Sequence, residues 1–159
     1  SAADISVLGV IKNKRVWRYI SEKYVDKTHE NIDTWKVLVA RVNGAGTIDE
    51  VLSSPLVIGP HCGYTQTFIG VGAFDTKENA ENALKYVKTK FARALLHVLK
   101  VTQDNNRDVW KYVPLQDFTD KSDINWNTSI ANIDKQLYKK YGLSQEEIDF
   151  IETHVKEMV

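Results

Sequence analysis

DTKENAENALKYVKTKFARALLHVLK (75–100) is the stretch whose reading decides the architecture of this 159-residue chain. Asp75 and Glu78 stand in capping-box spacing, and Ala80, Ala83, Leu84, Val87, Phe91, Leu95, Val98 and Leu99 recur with a period near 3.6. The pattern predicts one helix of about six turns. At 1.5 Å per residue it would run roughly 36 Å, enough to cross a whole sheet. Lys85, Lys88, Lys90 and Arg93 fall mostly off the apolar stripe. Upstream, ISVLGVI (5–11) and RVWRYI (15–20) are β-branched and aromatic runs joined by Lys12-Asn13-Lys14, the pattern of a hairpin. WKVLVARV (35–42) is the clearest strand, and its near-continuous apolar character predicts burial on both faces.

The remaining segments are weaker punctuation. Residues 22–34 read as a loop or short helix, and NGAGTIDEVLSS (43–54) as a glycine-rich loop. LVI (56–58) and TFIGV (67–71) are short strands, separated by GPHCGY (59–64), where Pro60 forbids a continuous central strand. DVWKYV (108–113) alternates like a further strand that Pro114 stops. Ile130, Ile133, Leu137 and Tyr141 then recur at helical spacing before Gly142, and Ser144 with Glu147 caps a last helix carrying Ile148, Ile151, Val155 and Met158. The expected fold is therefore α+β: a mostly antiparallel sheet, one long packed helix and a two-helix C-terminal tail. The expected division is residues 1–118 for the α+β unit and 119–159 for the helical extension packed on it.

Length and composition suit one soluble domain, with 43% hydrophobic and 26% charged residues. Folding at this size buries roughly two-thirds of the unfolded chain's surface. Cys62 is the only cysteine, so no intramolecular disulfide forms and a cysteine zinc site is not expected. A reducing, cytoplasmic setting fits that count. No apolar run reaches the roughly 20 residues of a membrane span, and Ser-Ala-Ala-Asp at the start suggests a piece cut from something longer. The formal charge of zero hides an asymmetry. Residues 12–41 hold eight basic and four acidic side chains, residues 77–111 repeat that balance, and residues 117–159 hold five basic against nine acidic. A basic body with an acidic tail fits a nucleic-acid footprint; solvated helix faces would produce the same tally.

Catalytic patterns are missing. There is no phosphate-binding Gly-x-x-x-x-Gly-Lys, Gly-x-Gly-x-x-Gly, Gly-x-Ser-x-Gly or His-Glu-x-x-His, and Gly70-Val71-Gly72 is only a piece of a glycine-rich loop. His29, His61, His97 and His154 stand singly in different segments, so no metal site is expected. Cys62 beside His61 could be a thiol with its base, but neighbours in sequence seldom face one another usefully and no third, orienting group is visible, so a small residue in a tight loop is the favoured reading. DNA binding needs cations for phosphates and Arg, Asn, Gln or hydroxyl groups for base edges. Arg41 and Asn43 with His61, Tyr64 and Gln66 form one such mixture, and Thr102, Gln103, Asn105, Asn106 and Arg107 another. The same residue types also make ordinary loops. Trp17, Trp35, Trp110 and Trp126 sit in packing contexts and read as core.

FDTKENAEN (74–82), YVKTKF (86–91), KVTQD (100–104), YVPLQDF (112–118), IDKQLYKKYGLSQEEI (133–148) and FIE (150–152) together resemble the C-terminal region of bacterial type II restriction-modification enzymes built on an adenine-specific DNA methyltransferase core. A weaker likeness runs back through YVDK (24–27) and DTWKV (33–37). The resemblance implies a non-catalytic, target-recognition region whose partners are duplex DNA and the upstream methyltransferase or nuclease domains. S-adenosylmethionine, and Mg2+ where the parent also cleaves, would belong to that parent. The family's Asp/Asn-Pro-Pro-Tyr/Phe motif is absent, with Pro55, Pro60 and Pro114 standing singly, and so is a Pro-Asp then Asp/Glu-x-Lys nuclease motif. Residues 43–67, which match least, are where target-specific variation is expected. Arg15, Arg18, Lys85, Lys88, Lys90 and Arg93 are the phosphate candidates. Arg41, Asn43, His61, Tyr64, Gln66 and Gln103 are the base-reading candidates. A docking module that joins the methyltransferase core to another domain or subunit is the alternative, its acidic helix pair meeting a basic partner.

Overall fold

The computed structural model describes residues 4–28, 30–41, 54–99 and 107–158. The first two apolar runs form β1 (Asp4–Ile11) and β2 (Lys14–Ser21), antiparallel from Asp4 opposite Ser21 to Ile11 opposite Lys14. Lys12 and Asn13 turn the chain with φ of 49° and 61°, the left-handed pair that matches the twist of a two-residue hairpin. After a 3-10 turn, Glu22–Tyr24, come β3 (Trp35–Ala40), β4 (Leu56–Ile58), β5 (Cys62–Tyr64) and β6 (Phe68–Phe74). They make two three-stranded sheets, β2-β1-β5 and β4-β3-β6, where one had been expected. β5 lies within GPHCGY (59–64), the segment expected to separate two strands. It forms because β1 offers an open edge, on which Cys62, Gly63 and Tyr64 pair in parallel with Ser6, Val7 and Leu8.

β3 is buried on both faces, as its composition predicted, and its period of two sorts the layers. Leu38 meets Leu8, Ile58 and Phe68 between the two sheets. Val37 and Val39 face the helices. Two glycines of β6 have steric reasons rather than a phosphate-loop role. A Cβ at Gly70 would lie 2.3 Å from the Tyr64 hydroxyl, and Gly72, at φ 74°, sits in the bulge where Trp35 pairs with Phe74 but Val37 with Val71.

The long helix is broken. α1 (Lys77–Lys88) ends at Thr89, whose ψ of 149° is extended, and α2 (Lys90–Leu99) starts at once. Thr76, not Asp75, caps α1, its hydroxyl accepting from the Asn79 amide. Thr89 serves both helices: its hydroxyl donates to the Tyr86 carbonyl and accepts from the Ala92 amide. The amides of Lys90 and Phe91, orphans of the new helix start, donate to the Asp134 carboxylate at 3.0 and 2.9 Å. The break changes which residues are covered. Leu96 and Ala92 are buried and Val98 is exposed, against the continuous stripe that placed Val98 inside.

α3 (Arg107–Trp110) replaces the expected strand at 108–113. Six alternating residues carry too little period to separate a strand from a helical turn, and Val109 with Val113 also meets helical spacing. α4 (Ile130–Lys140) and α5 (Gln145–His154) form the expected tail, with the Ser144–Glu147 capping box in place. Val37, Val39, Ala83, Val87, Leu96 and Val109 make the core between sheet and helices. Tyr86, Phe91, Trp126, Ile133, Leu137, Ile151 and neighbours make a second core under α4 and α5. The architecture is α+β.

Burial raises the Asp134 carboxyl to about 6 from the usual 3.8, outweighing the two amide hydrogen bonds that favour its anion. A folded value above the unfolded one means that the native state holds the extra proton between about pH 4 and 6. The stabilisation is complete below pH 3.8 and is lost as pH rises through 6. Asp134 should therefore remove about 3 kcal/mol of stability across that window. Glu22, Asp117 and Glu152, held below ordinary values, act with the opposite sign. The readout is thus a difference: urea midpoints from pH 4 to 7 should fall more steeply with rising pH in the wild type than in Asp134→Asn.

Candidate nucleic-acid interface

At one end of the two sheets, three of the expected contact residues come together. Arg41 leaves β3 with its amide on the Thr67 carbonyl at 2.9 Å. Thr65, Gln66 and Thr67 form the exposed turn into β6, closed by the Phe68 amide on the Thr65 carbonyl and by a 2.7 Å contact between the Thr65 and Thr67 hydroxyls. The Thr65 amide donates to the Leu8 carbonyl, which ties this turn to β1. From β2, Arg15 reaches across, its guanidinium 5.6 Å from the centre of the Phe68 ring. Arg15, Arg41 and Gln66 are all exposed here. Just beyond them the β1–β2 turn carries Lys12 and Lys14. The stretches that build this end, 9–16, 40–41 and 65–69, hold no carboxylate.

His61 and Tyr64 belong elsewhere. The His61 amide donates to the Ile32 carbonyl, its ring lies 3.4 Å from Asp33, and its φ is 55°. The Tyr64 hydroxyl accepts from Asn31, and its ring lies over Gly70 between the sheets. His61 sits by the start of β3, one strand length, roughly 17 Å, from Arg41. Asn43 and Gln103 lie outside the described residues.

The helix cations do not join this end. Arg93 is 1% exposed, with its Nη2 on the Lys156 carbonyl at 2.6 Å and its Nε on that of Lys88. As a phosphate contact it is a correction: an interior guanidinium cannot reach a duplex. Lys85 donates to the Trp126 carbonyl at 2.6 Å and Lys90 to Glu152 at 2.6 Å. Lys88 is half-buried and engaged within the fold. Arg15 and Arg18 ride on the outer sheet, and the β4-β3-β6 sheet separates that sheet from the helices. The six cations therefore do not form one face.

Lys36 was concealed within an apolar run. It is fully buried, and its Nζ donates to the carbonyls of Asn31, Thr34 and Gly59 at 2.7, 3.0 and 3.3 Å. Desolvation pulls its pKa below the ordinary lysine value. Its work is structural: it ties the turn before β3 to the end of β4. A lone lysine at the head of a β-branched run was the available signal. Trp126 is core, Trp35 and Trp110 are half-buried, and Trp17, expected inside, stands 41% exposed on β2. Cys62 is a half-buried strand residue with a free thiol. Among the described residues no cluster of three or more His, Cys, Asp or Glu is placed to hold a metal, and no helix is long and apolar enough to cross a membrane.

No protein-family model matches the chain, and no curated protein or solved structure matches it. The site rests on its own geometry. Lys36→Met should lower stability by about 2 kcal/mol, because three inward carbonyls lose their donor, against the relief of an interior charge. Urea unfolding at pH 7 measures it.

Proposed function

We propose that this chain is the non-catalytic DNA-recognition domain of a bacterial type II restriction-modification enzyme with an adenine-specific methyltransferase core, working in the cytoplasm. The observation that carries the reading is the end of the two sheets where Arg15, Arg41 and Gln66 come together on described stretches that hold no carboxylate. Arginine binds phosphate and pairs in bidentate fashion with guanine, while glutamine pairs with adenine, so this set could both hold and read a duplex. S-adenosylmethionine, and Mg2+ if the parent cuts, would be bound by the upstream domains. Phosphate neutralisation then falls to Arg15, Arg18 and the hairpin lysines. Lys85, Lys90 and Arg93 hold the C-terminal segment in place instead.

The docking alternative has one supporting observation of its own. A groove of about 470 Å3 runs between α2 and α5, lined by Phe91, Leu95, Leu143 and Phe150, with Glu146 and Glu147 also lining it. That apolar floor with acidic residues suits a basic amphipathic segment of the methyltransferase core. Of the tail's acidic residues, Glu152 already pairs with Lys90 within the chain.

Titration of the 159-residue chain with fluorescein-labelled 24-base-pair duplex of mixed sequence tests the main reading. Affinity should fall steeply as NaCl rises from 50 to 200 mM. Arg41→Ala should weaken binding about tenfold. Lys85→Ala should leave affinity within about twofold while lowering the melting temperature, because its cation serves an internal carbonyl. Absence of binding at 50 mM, or binding indifferent to salt, rejects recognition. Phe150→Asp separates the alternative: loss of assembly with the methyltransferase core at unchanged duplex affinity supports docking.

A further inference from the structure

We propose that the distal part of the β1–β2 hairpin is a projecting arm that enters the major groove of duplex DNA. This rests on the DNA reading above and names the element and the groove.

The hairpin has two unlike halves. Near its base, Ile5 and Leu8 are 2% and 1% exposed and anchor β1 in the body. Further out every residue from Val10 to Arg15 is exposed. Val10 and Ile11 are neighbours in a strand, so they point to opposite faces, yet they are 40% and 49% exposed. Apolar surface is therefore open on each face of the outer ribbon, while Arg15, at its inner end, lies against the Phe68 ring. Two apolar side chains partly open on opposite sides of an arm suit a site where thymine methyl groups offer apolar contact.

The dimensions agree. Three residues past the anchored part of the strand extend roughly 10 Å, and paired strands lie about 4.8 Å apart. The major groove is about 12 Å wide and 8.5 Å deep and admits a two-stranded ribbon. Charge agrees as well. From Ile5 to Ser21 the hairpin carries Lys12, Lys14, Arg15 and Arg18 and no acidic residue. Among the described residues no carboxylate pairs with Lys12 or Lys14. The arm leaves the body at the same end as Arg41 and Gln66, because Leu8 and Gly9 adjoin Thr65. A ribbon in the groove would therefore bring those two side chains to the flanking backbone or base edges.

The tip itself favours function over folding. A two-residue turn with both φ positive prefers Asn and Gly, yet Lys12 occupies its first position at φ 49°. Lys12→Asn therefore tests the charge without endangering the fold. The double variant Lys12→Asn/Lys14→Gln should melt no lower than wild type. On the 24-base-pair duplex it should lose at least tenfold in affinity at 100 mM NaCl, and its slope of log K against log [NaCl] should shrink by about 2. A duplex of the same sequence whose cytosines carry glucosylated hydroxymethyl groups, which fill the major groove, should bind wild type at least tenfold more weakly. Netropsin, held in the minor groove, should not compete.

Wild-type binding that the double variant keeps, that glucosylation leaves unchanged, or that netropsin abolishes overturns the arm while leaving the recognition reading intact. Tighter binding to the matching single strand, with Trp17 and Tyr19 as stacking surfaces, overturns the duplex assignment. Failure of wild type to bind any of these probes removes the recognition reading and the arm with it.

Discussion

A helix that starts in the interior must satisfy its first amides, and at Lys90 and Phe91 the Asp134 carboxylate does so from α4, 43 residues or more along the chain. That contact permits the break at Thr89. The break in turn lets α2 leave the line of α1 and place Phe91, Ala92 and Ala94 in the core beneath α4 and α5, while Leu96 stays over the sheet. The negative carboxylate also meets the positive end of the α2 dipole. Burial nevertheless raises its pKa, so the anchor is costly in its charged form. Tyr138 and Glu152, hydrogen-bonded to each other beside it, and Lys90, paired with Glu152, extend the same network.

Layering explains what the charges do. The β4-β3-β6 sheet has the outer sheet on one face and the helices on the other, so cations close in the sequence pattern end up on separate sides. Lys85, Lys90 and Arg93 face the C-terminal segment and bond two of its carbonyls and Glu152. The basic middle and acidic tail, a candidate nucleic-acid signature, are partly two halves of one internal contact. The hairpin cations remain outside that arrangement, which is why the recognition proposal moves from the helix to the sheet end.

The strands were legible where apolar pattern and turn chemistry agreed. β1, β2 and β3 lie almost where their β-branched runs place them, and α4 and α5 obey their stripe and cap. β5 was not legible: Cys62-Gly63-Tyr64 has no strand pattern, and only the open edge of β1 makes it one. α3 failed for lack of length. Among the contact residues, chemistry was readable and position was not. Arg41 and Gln66 are adjacent because Arg41 bonds Thr67 across the end of β3 and β6, whereas His61, only five residues from Gln66, lies at the far end of the sheet. Lys36 was hidden because its partners are backbone carbonyls, which leave no mark in the side-chain sequence.

Local free energies are written in the chain itself: β-branched runs, capping hydroxyls and apolar periods determined the α+β class, the hairpin, the buried central strand and the paired terminal helices. The number of sheets, the break at Thr89, the burial of Arg93 and the grouping of Arg15 with Arg41 and Gln66 were decided by tertiary structure. Each of those depends on a partner distant in the chain: an open strand edge, a carboxylate 43 or 44 residues away, a carbonyl 63 residues away. Periodicity reports which face of a segment is apolar, and it contains no record of what that face or its polar ends will meet.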